Sequence, residues 1–520
     1  MTTSPGSAGQ TMAKVWKFFG LLGATILLLL LLGRTGLLVF NSSQILSIGI
    51  FSMFIYGTLL FGDYRLAFAF GGIALLMMCN LLTVERFTQA ASLDVLVFLI
   101  GTFLVIGYLE ESRFFERIVE KIVALVGPRP ELLLLVMMIL ASIASALVGE
   151  VTAILFMAGA MLHLTTKYRL NPVPFVIMLV FACNNGSAMS SVGNPIGVLI
   201  ALKTGLSFVD FVKWAAPVAI IVDIATYGIC RWWFASSFTE FALAVEAEFS
   251  ARRDAQAARS RLAMAAVGAG GSASLQEYED LPNEDYAPKS TLVMDPEAMR
   301  AYRNSWIVLI GLILMLVTHK QVEQLLGLRE GTMMVVAALT MGCVVLLLQR
   351  EKARELVERR VDWWTLSFFM MLFASVGTLQ DTKVTDVIAQ RMSSIGGGQM
   401  PVIQAIGWAT GWLSAFLDNV LAVATFMPVV HDIRVRAGVP FSSSIYWFML
   451  FGGTFMGNMT VIGSTANIVA CGLLQRRGHG TVGFGYWMKI GFIVSIASMI
   501  VATLLLLLQW RWLPIMPAPT

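Results

Sequence analysis

Charge is what this sequence has least of. Asp, Glu, Lys and Arg make up only 13% of its 520 residues, about half the roughly 25% of an ordinary soluble domain. That shortage excludes a water-soluble globular chain, so length cannot be converted into a count of soluble domains. Histidine and cysteine are scarce too, at four and five residues. Cys79, Cys183, Cys230, Cys343 and Cys471 are scattered, with no CxxC or zinc spacing, and no HExxH occurs. This excludes a zinc site built on a known spacing. The cysteines read as small core residues, and His163, His319 and His431, each following an apolar run, read as interfacial. Net charge is only +4 and no basic patch is interleaved with aromatics, so nucleic acid is not an expected partner.

What the sequence does have is apolar length. Hydrophobic residues make up 57% of the chain and mean hydropathy is +0.77. Apolar runs near the length of a bilayer crossing fall at 18–33, 44–62, 66–84, 94–110, 215–234, 305–320, 332–348, 362–379 and 484–509. The first follows Lys14 and Lys17 but has no small-residue cleavage site, so it reads as a retained helix rather than a signal peptide. Glu110 to Val126 is amphipathic and predicts a helix at the interface. Residues 235–303 differ in kind: Ala/Glu/Arg-rich from Glu240 to Met264, Gly-rich at Gly268–Ser272 and acidic from Gln276 to Asp285. They form a linker with no catalytic constellation.

Four apolar runs are broken by polar residues. Residues 131–165 break at Gly149-Glu150, and 401–430 break at Asp418-Asn419. With each half judged too short to span alone, both predict re-entrant hairpins, allowed only if the tip is buried in protein or lines a cavity. Residues 173–203 break from Asn184 to Pro195, and 443–475 from Gly457 to Thr465. These predict discontinuous helices. The landmarks repeat: Asp94 and Asp362 are 268 residues apart, Ser145 and Ser414 are 269 apart, and Gly193 and Gly463 are 270 apart. An internal duplication with an odd number of crossings per half gives inverted repeats, the architecture of secondary transporters. The expected fold is an all-α polytopic membrane protein of about 11 transmembrane helices plus two re-entrant hairpins in two inverted repeats. Its divisions are 1–43 (tail and first helix), 44–234 (first repeat), 235–303 (cytoplasmic linker), 304–510 (second repeat) and 511–520 (tail). The excess of Lys and Arg on one set of loops places the N-terminus in the cytoplasm.

Broken helices leave unpaired backbone groups that need polar company. Asn184, Asn185, Gly186, Ser187 and Asn194 in the first half, with Asn458, Thr460, Ser464, Thr465 and Asn467 in the second, are the expected substrate-binding residues. Such residues also serve close helix packing. An acid at bilayer depth costs at least ~2.5–3.5 kcal/mol and is a functional candidate by default. Glu150 and Asp418, with Thr152, Gly193, Asn419 and Gly463 beside them, are therefore expected to couple Na⁺ or H⁺; the acids could also cap their hairpin arms. Na⁺ could sit at Glu150 and Asp418. Asp223, inside the run at 215–234, is a weaker candidate.

The residues from Asn184 to Pro195, from Ser414 to Val420 (S-A-F-L-D-N-V) and from Gly457 to Val469 resemble the motifs of the ion transporter superfamily. They are most similar to its citrate/arsenite-permease branch, which includes arsenite permeases, D-type sodium/proton antiporters and the melanosomal P protein. The second-half motifs match closely. In the first half, Gly149-Glu150 stands where the family often has Asp-Asn, and Asn194 stands in place of an Asp. The resemblance covers about 40–510 without the linker. It implies a homodimer with an elevator-like moving domain, and a di/tricarboxylate or arsenite-like solute. The expectation is a multi-pass protein of a prokaryotic cytoplasmic membrane, not an enzyme. It would move a small anion or oxyacid, coupled to Na⁺ or H⁺ and with no other cofactor. A sodium/proton antiporter is the alternative, and a channel or a loop-borne activity stands behind both.

Overall fold

The computed structural model describes residues 5–36, 38–126, 129–247, 250, 296–394, 397–437 and 440–516. The chain is almost wholly α-helical; the only strands among the described residues are Phe441–Ser442 and Ile515–Met516, paired antiparallel. Among the described residues, seven helices are long and apolar enough to cross a membrane: Met12–Arg34, Ser42–Leu60, Leu93–Glu111, Pro130–Val148, Pro296–Leu326, Thr332–Arg360 and Phe484–Gln509. In the first only 6% of the residues of the apolar stretch are buried, and Leu27, Leu28 and Leu30 are among its exposed apolar side chains.

The two hairpins and two broken helices form where the sequence breaks. The first hairpin joins Pro130–Val148 to Glu150–Lys167 through Gly149, at φ 89° and ψ 152°. A side chain at those angles is strained, and glycine occupies them freely. The second joins Gln399–Phe416 to Asn419–Ala437. The broken helices are Val173–Ser187 with Pro195–Thr204, and Ser444–Phe455 with Thr465–Arg476. The hairpin arms are longer than the sequence suggests, at 19 and 18 residues in the first, or about 28 Å at 1.5 Å per residue. No helix breaker follows the apolar stretch, so helix continues through His163 to Lys167 and stops where Arg169 turns to φ 55°.

The repeat extends through the elements. Leu93–Glu111 and Phe114–Val126 recur as Trp363–Asp381 and Val384–Ser393, and Pro130–Val148 as Gln399–Phe416. Single bonds recur as well. Ser145 Oγ donates to Cys183 O and Ser414 Oγ to Gly453 O, both at 2.6 Å. Ser190 Oγ donates to Ala146 O, and its counterpart Thr460 Oγ1 to Ala415 O. Each hydroxyl ties a hairpin to the broken helix of its own half. The second arms then exchange partners: Glu150–Lys167 packs on Thr465–Arg476, and Asn419–Ala437 on Pro195–Thr204. The two halves therefore interlock at their breaks.

Some boundaries differ from expectation. The run at 66–84 is Arg65–Met78, ending where Asn80 takes φ 56°; Thr83 then caps a separate short helix, Val84–Ala90. The helix expected at 305–320 is Pro296–Leu326, because nothing in the polar stretch before 305 interrupts it. The charged segment between the runs at 332–348 and 362–379 contains the helix Ala353–Arg360, with i,i+4 pairs Arg354–Glu358 and Glu355–Arg359. Of the linker, 235–247 is helical and buries Phe238, Phe241 and Val245; the Gly-rich and acidic stretches fall outside the described residues. His319 is buried rather than interfacial, its Nδ1 2.7 Å from Leu316 O. Cys79 and Cys343 are exposed rather than in the core.

Gly149→Ala tests the hairpin turn. The added methyl would meet only Gly193 O, at 3.7 Å, so the cost is conformational, of order 1–3 kcal/mol. A corresponding fall in thermal stability is expected in detergent, and an unchanged melting temperature would contradict it.

Candidate functional site

Three of the four breaks meet at Glu150, and the fourth joins them through the bond from Ser464 Oγ to Asn184. Glu150 opens the second arm of the first hairpin and is buried. Its Oε1 accepts from Asn419 Nδ2 at 3.0 Å and from Ser464 Oγ at 3.1 Å. Asn419 opens the second arm of the other hairpin, and Ser464 is the N-cap of Thr465–Arg476. Three helix N-termini thus converge on one carboxylate. Each carries partial positive charge, worth ~0.3–1 kcal/mol and up to ~2 kcal/mol when partly buried. That is how an acid sits here without a basic partner. Its Oε2 is buried and accepts no hydrogen bond from the described residues.

The register of the repeat pairs the two hairpin tips residue by residue. Ser145 matches Ser414 at 269 residues, and the same spacing matches Glu150 with Asn419, not with Asp418. The Glu150–Asn419 bond therefore joins equivalent positions of the two halves. Asp418 matches Gly149. It is half-buried, accepts from Val420 N at 2.9 Å and takes the Thr465 hydroxyl at 3.2 Å.

Behind Glu150 runs a chain of carboxamides. Asn184 Oδ1 accepts from Ser464 Oγ at 3.0 Å. Asn184 Nδ2 donates to Asn458 Oδ1 at 2.7 Å and to Asn467 Oδ1 at 2.8 Å. Asn458 Nδ2 donates to Asn185 Oδ1 at 2.9 Å. Asn185 Nδ2 donates to Asp223 Oδ1 at 3.0 Å and to Thr226 Oγ1 at 3.1 Å. Ser142 Oγ donates to Asp223 Oδ2. All four Asn residues are buried, where an unpaired amide would cost about 1–3 kcal/mol.

The broken helices supply these amides because their ends need them. Asn467 Nδ2 donates to Gly457 O and Thr460 O, both at 2.8 Å, so it satisfies carbonyls freed by the break. Trp487 Nε1 does the same for Asn458 O at 2.9 Å. In the first half, Asn194 caps Pro195–Thr204 through Gly197 N and donates to Ser187 Oγ at 2.8 Å; Ser187 Oγ donates in turn to Asn184 O. Gly463 lets the break fold back on itself: a Cβ there would lie 2.6 Å from Gly457 O. Gly193 lies in the same way against Ser187, and Gly186 against Ser142.

The family model for the citrate transporter matches residues 64–453 and again 328–518. The chain belongs to the citrate transporter family. An uncharacterized transporter of Mycobacterium tuberculosis is 27% identical over 419 residues, covering 80% of this chain and 86% of that one. The human P protein is 22% identical over 446 residues, covering 78% of this chain and 52% of that one. The YdaH transporter of Alcanivorax borkumensis has the same fold, with a TM-score of 0.50 at 13% identity over 85% of this chain and 89% of that one. This citrate transporter family member is therefore a transporter and an integral, multi-pass membrane protein.

Of the residues singled out in the sequence, Glu150, Asn184, Asn185, Ser187, Asn194, Asn419, Asn458, Thr460, Ser464 and Asn467 join one network. Asp418 and Thr465 form a second pair beside it. Thr152, half-buried, joins neither. Ser142, Thr226 and Trp487 carry no sequence expectation, and Asp223, a weaker candidate, ends the carboxamide chain. A signal for these existed in the spacing: Ser142 and Ser145 share a helix face, as do Asp223 and Thr226.

Proposed function

We propose that this chain is a secondary active transporter for a small anion or oxyacid, of the di- or tricarboxylate kind, coupled to Na⁺ or H⁺ by alternating access. The observation that carries the reading is the convergence of three helix N-termini on Glu150, a buried acid with one oxygen unpartnered. Helix N-termini favour an anion. An acid in the same place admits that anion only when a cation or proton accompanies it. This is obligatory coupling by charge. Glu150 and Asp418 hold the cation; the carboxamides and hydroxyls of Asn184, Asn185, Ser187, Asn458, Thr460, Ser464, Thr465 and Asn467 bind the solute. The family description supports a carboxylate solute. The homodimer, the elevator-like motion and a cytoplasmic N-terminus belong to the same reading.

A sodium/proton antiporter is the second reading. It is favoured by the absence of Lys, Arg and His from the described network, and by amides already engaged with one another. Purified protein in proteoliposomes separates the two. Labelled citrate, succinate or arsenite that accumulates only with an inward cation gradient supports the first. A Na⁺ gradient that alone dissipates a pH gradient, with no solute uptake, replaces it with the second. In either case Asp418→Asn is expected to uncouple flux from the cation gradient. It keeps an acceptor for Val420 N and removes the charge, so full coupling in that variant would remove Asp418 from the site.

A further inference from the structure

Asp223 has no part in the exchange proposed at Glu150 and Asp418, yet it is bonded to the same network. Its carboxylate accepts from Ser142 Oγ and from Asn185 Nδ2. From there the donors run head to tail: Asn458 Nδ2 to Asn185, Asn184 Nδ2 to Asn458, Ser464 Oγ to Asn184. Ser464 Oγ also lies 3.1 Å from Glu150 Oε1. A hydroxyl carries one proton, so Ser464 serves either Glu150 or the chain that ends on Asp223. The two acids are thus opposite ends of one hydrogen-bonded path.

The second repeat shows what the fold requires at this place. Val218, Val222, Thr226 and Cys230 are buried along one helix face; Ile490, Val494, Ser498 and Ala502 repeat that pattern 272 residues later. In this register Asp223 corresponds to Ser495 and Thr226 to Ser498. Asn185 corresponds to Phe455, 270 residues on, and Ser142 to Gly411, 269 on. Ser495 Oγ bonds Phe455 O directly at 3.0 Å, as Asp223 bonds Asn185. The same junction is therefore built once with neither acid nor amide. The acid, its amide and its serine, drawn from three helices, belong to the first repeat alone, and packing does not explain them.

We propose that Asp223, with Ser142, Asn185 and Thr226, is a second proton-binding site of this transporter. Its protonation is felt at Glu150 through the carboxamides of Asn185, Asn458 and Asn184. The inference rests on the coupled-transport reading above. The ion is a proton because Ser142 and Asn185 present donors to the carboxylate, whereas a bound metal ion needs converging oxygens. The proton comes from bulk water and returns to it. With the proton on Oδ1, Asp223 becomes a donor towards Asn185, whose amide inverts to accept it. Each amide along the path then inverts in turn, and the Ser464 proton turns towards Glu150.

The neighbouring titratable groups do not compete. The helix Ala216–Trp233 packs against Phe484–Gln509, Val173–Ser187, Pro130–Val148 and the turn Phe211–Ala215. Glu131 and Arg231 pair with each other at 2.6 Å, and Tyr227 donates to Glu131 O. Lys213 lies over the Trp214 ring, and Cys183 donates to Ala141 O. Cys230, Tyr486 and Lys489 complete the set. None is among the hydrogen-bond partners of Asp223.

Infrared difference spectra of the purified full chain between about pH 5 and about pH 9 test the site without any solute. The wild type is expected to show a protonated-carboxyl band that Asp223→Asn lacks, and Glu150→Gln is expected to shift its midpoint. A band unchanged in Asp223→Asn overturns the proposal. Should that variant not fold, Ser142→Ala keeps the acid and removes one donor; a moved midpoint supports the site, and an unmoved one overturns it. In proteoliposomes with labelled citrate, Asp223→Asn should retain self-exchange. Its accumulation ratio should fall by about tenfold per pH unit of gradient, the share of one proton. If the wild type does not accumulate citrate, the solute reading fails, and the infrared result alone decides Asp223.

Discussion

Glu150→Gln is expected to abolish cation-driven accumulation while leaving the fold intact. Gln keeps an oxygen where Oε1 accepts from Asn419 and Ser464, so those two bonds survive. What disappears is the charge, and with it the attraction to three helix N-termini and to any cation. Hydrogen bonds to a charged group are worth about 1.5–3 kcal/mol. A loss of about 2.7 kcal/mol is about 100-fold in rate or affinity. Initial rates of gradient-driven uptake in proteoliposomes should fall by at least that factor. The melting temperature in detergent should stay within about 2 °C. Undiminished uptake would remove Glu150 from the coupling site. A collapse of stability with no specific effect on coupling would make it a structural cap.

Asn184→Leu should do the opposite, striking stability first. Asn184 Nδ2 is the donor to both Asn458 Oδ1 and Asn467 Oδ1. Leu fills a similar volume and leaves two buried acceptors without partners, at about 1–3 kcal/mol each. A total of about 2–6 kcal/mol is a large part of the stability of a marginally stable protein. Thermal unfolding of the purified variant should show a clear fall, accompanied by loss of transport. Thr152→Val is the control, since Thr152 joins no bond of the network. A variant at Asn184 as stable as this control would show that the carboxamide chain does not hold the two halves together.

The breaks were legible because they are local. Gly149-Glu150 interrupts an apolar run, and the chain turns there because glycine alone adopts φ 89° at little cost. The first break comes later than its Asn residues suggest, since Asn184 to Ser187 still lie in the helix, which stops at Ser187 and resumes at Pro195; the second broken helix stops at Phe455 and resumes at Thr465. Length was less legible. The hairpin arms outrun their apolar residues because His163 to Lys167 contains nothing that stops a helix. The two acids do not occupy equivalent positions. Both mark hairpin tips, but the spacing of 269 sets Glu150 on Asn419. The register, not the chemical likeness, decided which residues face each other.

Asp223 shows where the sequence stops. Acid, amide and serine come from three helices, and nothing near residue 223 in the chain announces residues 142 and 185. By itself the sequence determined a helical membrane protein with a duplicated plan, two hairpins, two broken helices and acids at the breaks. Those follow from hydropathy, from backbone preference and from a repeat distance, all of which are properties of the chain read along its length. Only the tertiary structure decided that three helix N-termini converge on Glu150, and that the Ser464 hydroxyl and three carboxamides link it to Asp223. A buried amide takes whichever partner the fold brings within about 3 Å, and here several of those partners lie more than 270 residues away.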